Sequence, residues 1–106
     1  VRQDYPKAIE WYTKAADQGY VSAQYQLGTI YSYGEGAPQD YAKAGKWYLK
    51  AANQGDARSQ YNLGMMYLNG IGVRQNTVIA KKYFSKACDN GYQLGCKNLG
   101  IRTEDE

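Results

Sequence analysis

The chain has 106 residues, with 13 basic against 10 acidic side chains, 43% hydrophobic residues and no histidine. That length suits one domain with one core, and the absence of histidine excludes Ser-His-Asp and Cys-His catalysis, histidine metal sites and a histidine pH switch. The net charge of +3, nearer +6 without the acidic residues 104–106, favours solubility and points only weakly to an anionic partner.

No run of eighteen apolar residues is present, so no membrane span is expected. There is no secretory signal pattern, and a start at Val1 rather than methionine fits removal of a leader or an upstream domain.

In chain order, "DYPKAIEWYTKAADQG" from Asp4 predicts a helix over about 5–17. "YQLGTIYSYGEGA" from Tyr25 lies in a second, over about 22–33. "DYAKAGKWYLKAANQG" from Asp40 repeats the first stretch at 11 of 16 positions and predicts a helix over about 41–53. "YNLGMMYLNGIGV" from Tyr61 repeats the second and predicts about 58–69. "NTVIAKKYFSKACDNG" from Asn76 is a diverged copy of the first, predicting about 77–89, and a last helix is expected over about 93–102. Each copy lies 36 residues after its predecessor. The segments carrying Tyr-x-Leu-Gly are called A helices below, and those carrying Lys-Ala-x-x-Trp-Tyr B helices.

Ala23, Leu27, Ile30 and Tyr31 form an apolar stripe on an A helix. Tyr41, Ala44, Tyr48, Ala51 and Ala52 do so on a B helix, with Trp47 widening the stripe. Asp40 and Asn76 suit N-caps, because a short side-chain oxygen can take up free backbone N–H groups. Gly19, Gly55 and Gly91 suit left-handed turns after the B helices, and Gly34/Gly36 and Gly70/Gly72 mark the longer A-to-B loops. No strand signal is present.

Gly28, Gly64 and Gly100 stand inside A helices, where glycine costs about 1 kcal/mol relative to alanine. Their recurrence suggests close helix crossings, with a large ring such as Trp47 lying flat on the backbone; hinges are the alternative reading. A 36-residue helix pair cannot bury its apolar face alone, so stacked units making only local contacts are expected. The chain begins with a lone B helix and ends with a lone A helix, so both ends should expose apolar surface, as in a piece of a longer array or a protein that self-associates through uncapped ends.

The pattern Ala23-x-Tyr25-x-Leu27-Gly28-x-x-Tyr31-x-x-Gly34-x-Gly36, then Asp40-Tyr41-x-Lys43-Ala44-x-x-Trp47-Tyr48-x-Lys50-Ala51-Ala52-x-x-Gly55, resembles the Sel1-like repeat family, relatives of tetratricopeptide repeats. It recurs from Tyr61-x-Leu63-Gly64 to Gly72-Val73. The resemblance implies an all-α, right-handed α/α superhelical solenoid of about three 36-residue helix pairs, acting as an adaptor or scaffold. It divides the chain into an array over 1–103, with units of about 1–21, 22–57, 58–92 and 93–103, the outer two partial, and an acidic tail over 104–106. The third copy departs from the pattern at Thr77, Ile79 and Tyr83-Phe84.

Cys88 stands where Ala16 and Ala52 stand, and Cys96 where Gln24 and Gln60 stand. The turn at Asn90-Gly91 folds these helix ends together, so a disulfide is sterically reasonable; two buried free thiols are the alternative. "KACDNGYQLGCKNLG" resembles a disulfide-bearing, cysteine-rich bacterial subset of the family. That resemblance implies a Cys88–Cys96 bridge and a periplasmic or secreted setting, against a cytoplasmic one if the thiols stay free. Zinc is disfavoured by two cysteines without histidine, and a redox role by the lack of Cys-x-x-Cys.

Some cysteine-rich relatives are linked to β-lactam binding or hydrolysis, which makes that activity the alternative function. Serine acylation of that kind uses Ser-x-x-Lys, yet none of Ser22, Ser32, Ser59 and Ser85 has a lysine three residues on. Lysines recur on the B helices at 7 and 43 and at 14, 50 and 86. Helical-repeat RNA binders exist, but a solvated outer face is the expected reading, with no nucleic-acid partner. The binding surface is expected on the concave A-helix side. Gln26, Thr29 and Tyr33, and Asn62, Met65 and Asn69, lie at i, i+3 and i+7 and vary between copies while their neighbours stay fixed. Amides, an aromatic and a methionine suit a protein or peptide segment. No cofactor is expected.

Overall fold

The structure is a computed structural model describing residues 5–100, and every described element is helical. Helices α1 (Tyr5–Asp17), α2 (Val21–Tyr33), α3 (Tyr41–Asn53), α4 (Ala57–Asn69), α5 (Thr77–Asp89) and α6 (Gln93–Asn98) follow one another, with B helices at α1, α3 and α5 and A helices at α2, α4 and α6. The main packing runs between consecutive helices, α1 on α2 through to α5 on α6. The result is an elongated body of 44 × 27 × 25 Å with a radius of gyration of 14.5 Å, above the roughly 13 Å of a compact chain near this length. This is the α/α solenoid expected of stacked pairs.

Local signals set the helix ends. The N–H of Lys43 donates to Asp40 Oδ1 and that of Ile79 to Asn76 Oδ1, both at 3.0 Å. Gly19, Gly55 and Gly91 adopt φ of 93°, 92° and 91° after the B helices, with open space where a Cβ would stand, so their role is conformational. The cap of α4 escaped the sequence reading. Asp56 accepts from the Ser59 N–H at 3.0 Å and from the Ser59 hydroxyl at 2.6 Å, and pairs with Arg58 at 3.0 Å. Ser59 is fully buried, so removing Asp56 strands a buried hydroxyl as well as a helix end. Asp56→Ala is expected to cost about 2 kcal/mol and Asp40→Ala, a cap alone, about 1 kcal/mol. Urea unfolding compares them; equal costs would deny Asp56 its second task.

Among the described residues, two apolar clusters hold α1 to α4 together, and Ala80, Phe84 and Ala87 are buried on α5. Ala16, Ala23, Leu27 and Ile30 join α1 to α2, with Trp47 against their edge. Ala44, Tyr48, Ala52, Leu63 and Met66 join α3 to α4. Leu27 and Leu63 are essentially inaccessible, each contributing about 2 kcal/mol by burial.

The interior glycines are contact points at Gly28 and Gly64. A Cβ on Gly28 would lie 2.6 Å from the Tyr48 ring, and one on Gly64 2.5 Å from the Phe84 ring. The ring on the glycine is therefore Tyr48, with Phe84 as its counterpart, and not Trp47, which is half-buried against the α1–α2 cluster. Gly100 does not share this role. It follows α6 at φ 76° with nothing near its Cβ position, and its N–H closes a tight turn on the Lys97 carbonyl at 2.9 Å. The last helix therefore stops at Asn98, short of the expected 102, and positions 101 and 102 lie outside the described residues. The tight contact of this pair sits at Gly95, whose Cβ would lie 2.7 Å from the Phe84 carbonyl oxygen.

At α1 the aromatic pair is uncovered among the described residues. Trp11 is 64% and Tyr12 36% exposed, whereas Tyr48, one repeat on, is 3% exposed. The difference follows from stacking: α2 covers α3, and no described helix covers the matching face of α1.

Candidate functional site

A pocket of about 340 Å³ opens between α2, α3 and α4. Tyr33 and Ser32 form its α2 side, Tyr41 and Tyr48 its α3 side, and Asn62, Met65, Met66 and Asn69 its α4 side, with Gln39 and Ile71 from the loops. No charged side chain lines it. The structure thus brings together four of the residues singled out from sequence: Tyr33, Asn62, Met65 and Asn69. Tyr33 is 70% exposed at the rim. Gln26 and Thr29 lie outside the lining. Thr29 is held by packing duty: its hydroxyl donates to the Tyr25 carbonyl at 3.2 Å and lies 3.1 Å from the Tyr48 hydroxyl. Gln26 is half-buried one turn earlier on α2.

Sequence reasoning missed the contribution of the B helix. Tyr41 and Tyr48 read as core stripe, and Tyr48 is indeed buried, but both also line the pocket. The rim is braced by Gln39, whose side-chain N–H group donates to the Ser32 carbonyl at 2.7 Å and to the Tyr41 hydroxyl at 2.9 Å. The matching Gln75, one interval later, donates to the Leu68 carbonyl and the Thr77 hydroxyl; that spacing was the available signal.

Burial raises the pKa of Tyr48 above its ordinary 10.0, the Thr29 hydrogen bond offsetting only part of the effect. A raised folded value means that the neutral ring stabilises the fold fully below pH 10, and that this contribution fades as pH climbs from about 10 through the folded value. Phe84 shows that a ring without hydroxyl fits the same seat. Tyr48→Phe is expected to cost about 1 kcal/mol at pH 7, through the lost Thr29 bond, and to soften the alkaline loss of stability. Urea midpoints from pH 7 to pH 11 test this, and parallel curves for the two proteins would refute it.

The recurring lysines stack on rings. Lys14 lies 5.5 Å from the Trp11 ring, Lys50 5.2 Å from Trp47 and Lys86 5.6 Å from Tyr83, each three residues beyond its ring on a B helix. Lys43 sits 4.9 Å from the Tyr31 ring. Charge thus gathers on the B-helix surface and is absent from the pocket. Among the described residues no group of His, Cys, Asp and Glu could hold a metal ion, and no helix is long and apolar enough to cross a membrane.

Cys88 and Cys96 form a disulfide across the α5–α6 turn, with Cα atoms 4.8 Å apart. The other two pairs fasten the same place differently. The Gln24 side-chain N–H group donates to the Ala16 carbonyl at 3.1 Å, and that of Gln60 to the Ala52 carbonyl at 3.0 Å. The covalent bridge occupies the position of a buried hydrogen bond.

Several known proteins share this architecture. A protective antigen present in uropathogenic Escherichia coli strains, displaying an SLR fold, matches with a TM-score of 0.90 and 43% identity over 94% of this chain and 21% of its own. A Sel1 repeat protein from Oxalobacter formigenes matches with a TM-score of 0.90 and 34% identity over 94% of this chain and 41% of its own. Cysteine rich protein B of Helicobacter pylori matches with a TM-score of 0.84 and 31% identity over 89% of this chain and 71% of its own. The chain thus spans about a fifth and two fifths of the length of the first two. No curated protein matches it. The Sel1 repeat family model matches residues 1–20, 21–56 and 57–92. With its stacked helix pairs, ring-on-glycine crossings and these matches, the chain belongs to the Sel1 repeat family.

Proposed function

We propose that this chain is a non-catalytic protein-interaction module that seats an uncharged polypeptide segment on its A-helix face. The carrying observation is the pocket between α2, α3 and α4, lined by rings, thioethers, amides and a hydroxyl without one charged group. Such a lining favours burial of an apolar side chain with neutral hydrogen bonds around it. The chain offers no histidine and no Ser-x-x-Lys pair for acyl transfer. The Cys88–Cys96 bridge supports residence in an oxidising compartment, periplasmic or extracellular, and the likeness to a cysteine rich protein supports the same setting.

A pull-down from native lysate with the intact chain supplies the partner. Tyr33→Ala with Met65→Ala is then expected to weaken that complex about tenfold or more while far-UV circular dichroism stays unchanged; unaltered affinity would remove the pocket from the interface. Incubation with a β-lactam is expected to leave the intact mass as it was. A covalent adduct or turnover would replace this reading with the hydrolase-like one.

A further inference from the structure

Another pocket, about 240 Å³, shares no residue with the one described above and is walled largely by the B helix α3. Gly45, Lys46 and Leu49 come from α3, Leu63 and Tyr67 from α4, and Val73 from the loop after it. Gly45 is a further glycine in a helix interior, an unfavourable place for it. At Gly28 and Gly64 a ring pressed on the backbone accounts for the choice. No ring stands at Gly45: a Cβ there would meet the flexible Met66 Cε at 3.3 Å and Val73 Cγ1 at 3.9 Å. Its φ is not positive either. What the missing side chain leaves is an open notch.

The preceding repeat shows what such a space accepts. Ile9 stands one interval before Gly45, and Tyr31 and Ala37 one interval before Tyr67 and Val73. Ile9, Tyr31 and Ala37 all pack on the α1–α2 cluster. Next to Ile9, Glu10 pairs with Lys14 at 3.6 Å. The second repeat lacks both groups: Gly45 replaces Ile9, and Lys46 replaces Glu10. Lys46 and Lys50 therefore stand four residues apart, a repulsive spacing for like charges on a helix. Lys46 is exposed and has no ion pair or hydrogen bond among the described residues, while Lys50 rests on the Trp47 ring at 5.2 Å. We propose that the notch receives a branched aliphatic side chain of a partner polypeptide, with an acidic residue beside it paired to Lys46. The missing aliphatic group and the missing acid lie side by side, as consecutive residues of a polypeptide supply them. Burial of the aliphatic group gives the affinity, and the unpaired lysine sets the sign of the partner's charge. This surface is separate from the A-helix pocket and does not depend on the function proposed for it.

The probe is a set of short Gly/Ser peptides with a central Ile-Glu, Leu-Glu or Val-Asp pair, titrated into the intact chain and read by amide NMR shifts. The tightest is expected to move the Gly45, Tyr67 and Val73 amides. Alanine in place of its aliphatic residue should weaken binding about tenfold, and an amide in place of its acid about threefold. Gly45→Ile fills the notch and should weaken binding about tenfold. Leu49→Asp alters a wall residue that is 40% exposed, so it carries the test should Gly45→Ile not fold, and is expected to weaken binding as much. Lys46→Gln should weaken the acidic peptide about threefold and its amide counterpart no further. Met65→Ala, in the other pocket, should leave binding unchanged. Peptides that fail to bind, or that ignore Gly45→Ile and Leu49→Asp, would overturn the proposal. Affinity that follows Lys46→Gln while ignoring the aliphatic residue would reduce the contact to charge attraction and overturn it too. Decanoate binding more tightly than every peptide would do the same, making the occupant a free fatty acid.

Discussion

Gly64→Ala is expected to destabilise the protein by about 2 kcal/mol. The sign is decided by two opposed effects. Alanine in a helix interior is favoured over glycine by about 1 kcal/mol. Against it, the new methyl would stand 2.5 Å from the Phe84 ring, where carbon atoms prefer about 3.5–4.0 Å. Phe84 is 1% exposed and has the Tyr61 ring beside it at 5.7 Å between centroids, so it cannot swing aside into solvent. Overpacking of this kind costs about 1–3 kcal/mol, and the depth of the clash places it at the upper end. The expected fall in Tm is about 10 °C for a domain of this size. Gly64→Ala combined with Phe84→Leu should cost less than the two changes added together, because the smaller side chain makes room. Gly28→Ala against Tyr48 should behave alike. A neutral or stabilising Gly64→Ala would mean that the helices do not cross as closely as described.

Reducing the Cys88–Cys96 bridge is expected to cost about 2.5 kcal/mol, the chain-entropy value for so short a loop. The loss should concentrate in α6, which has only six residues and packs on α5 alone among its main contacts. Hydrogen exchange of the α6 amides under reducing conditions should therefore rise before that of α2 to α4. The helix-end hydrogen bonds of the other pairs suggest the complementary experiment. Cys88→Ala with Cys96→Gln recreates the residues at Ala52 and Gln60, where the glutamine N–H group reaches the alanine carbonyl at 3.0 Å. That variant should recover about 1 kcal/mol relative to the reduced protein and lose all sensitivity to reductant. A double variant no more stable than the reduced chain would show that the α5–α6 turn lacks the geometry of the α3–α4 turn.

Much of the fold was legible because its signals are local. The three B helices run over the ranges their periodicity indicates. Asp40 and Asn76 cap because a cap needs only its own backbone three residues on. The short turn at Asn90-Gly91 made a bridge sterically reasonable beside free thiols, and the structure forms it. Asp56 was harder: its task depends on the burial of Ser59, which no neighbour in sequence announces.

The sequence by itself determined the helix pairs and their 36-residue interval and pointed to the solenoid class, since helix periodicity and turn residues are local and return at a fixed spacing; it offered the cysteine bridge beside free thiols. Only the tertiary structure decided which ring lies on the glycine. Trp47 and Tyr48 are adjacent in sequence but about 100° apart around the helix, and the placement of α2 selects Tyr48. It likewise withdrew Thr29 from the open surface, stopped α6 at Asn98, and added Tyr41, Met66 and Ile71 to the pocket. Side-chain periodicity states which way a residue points along its own helix, and what stands opposite is set by how separate helices cross.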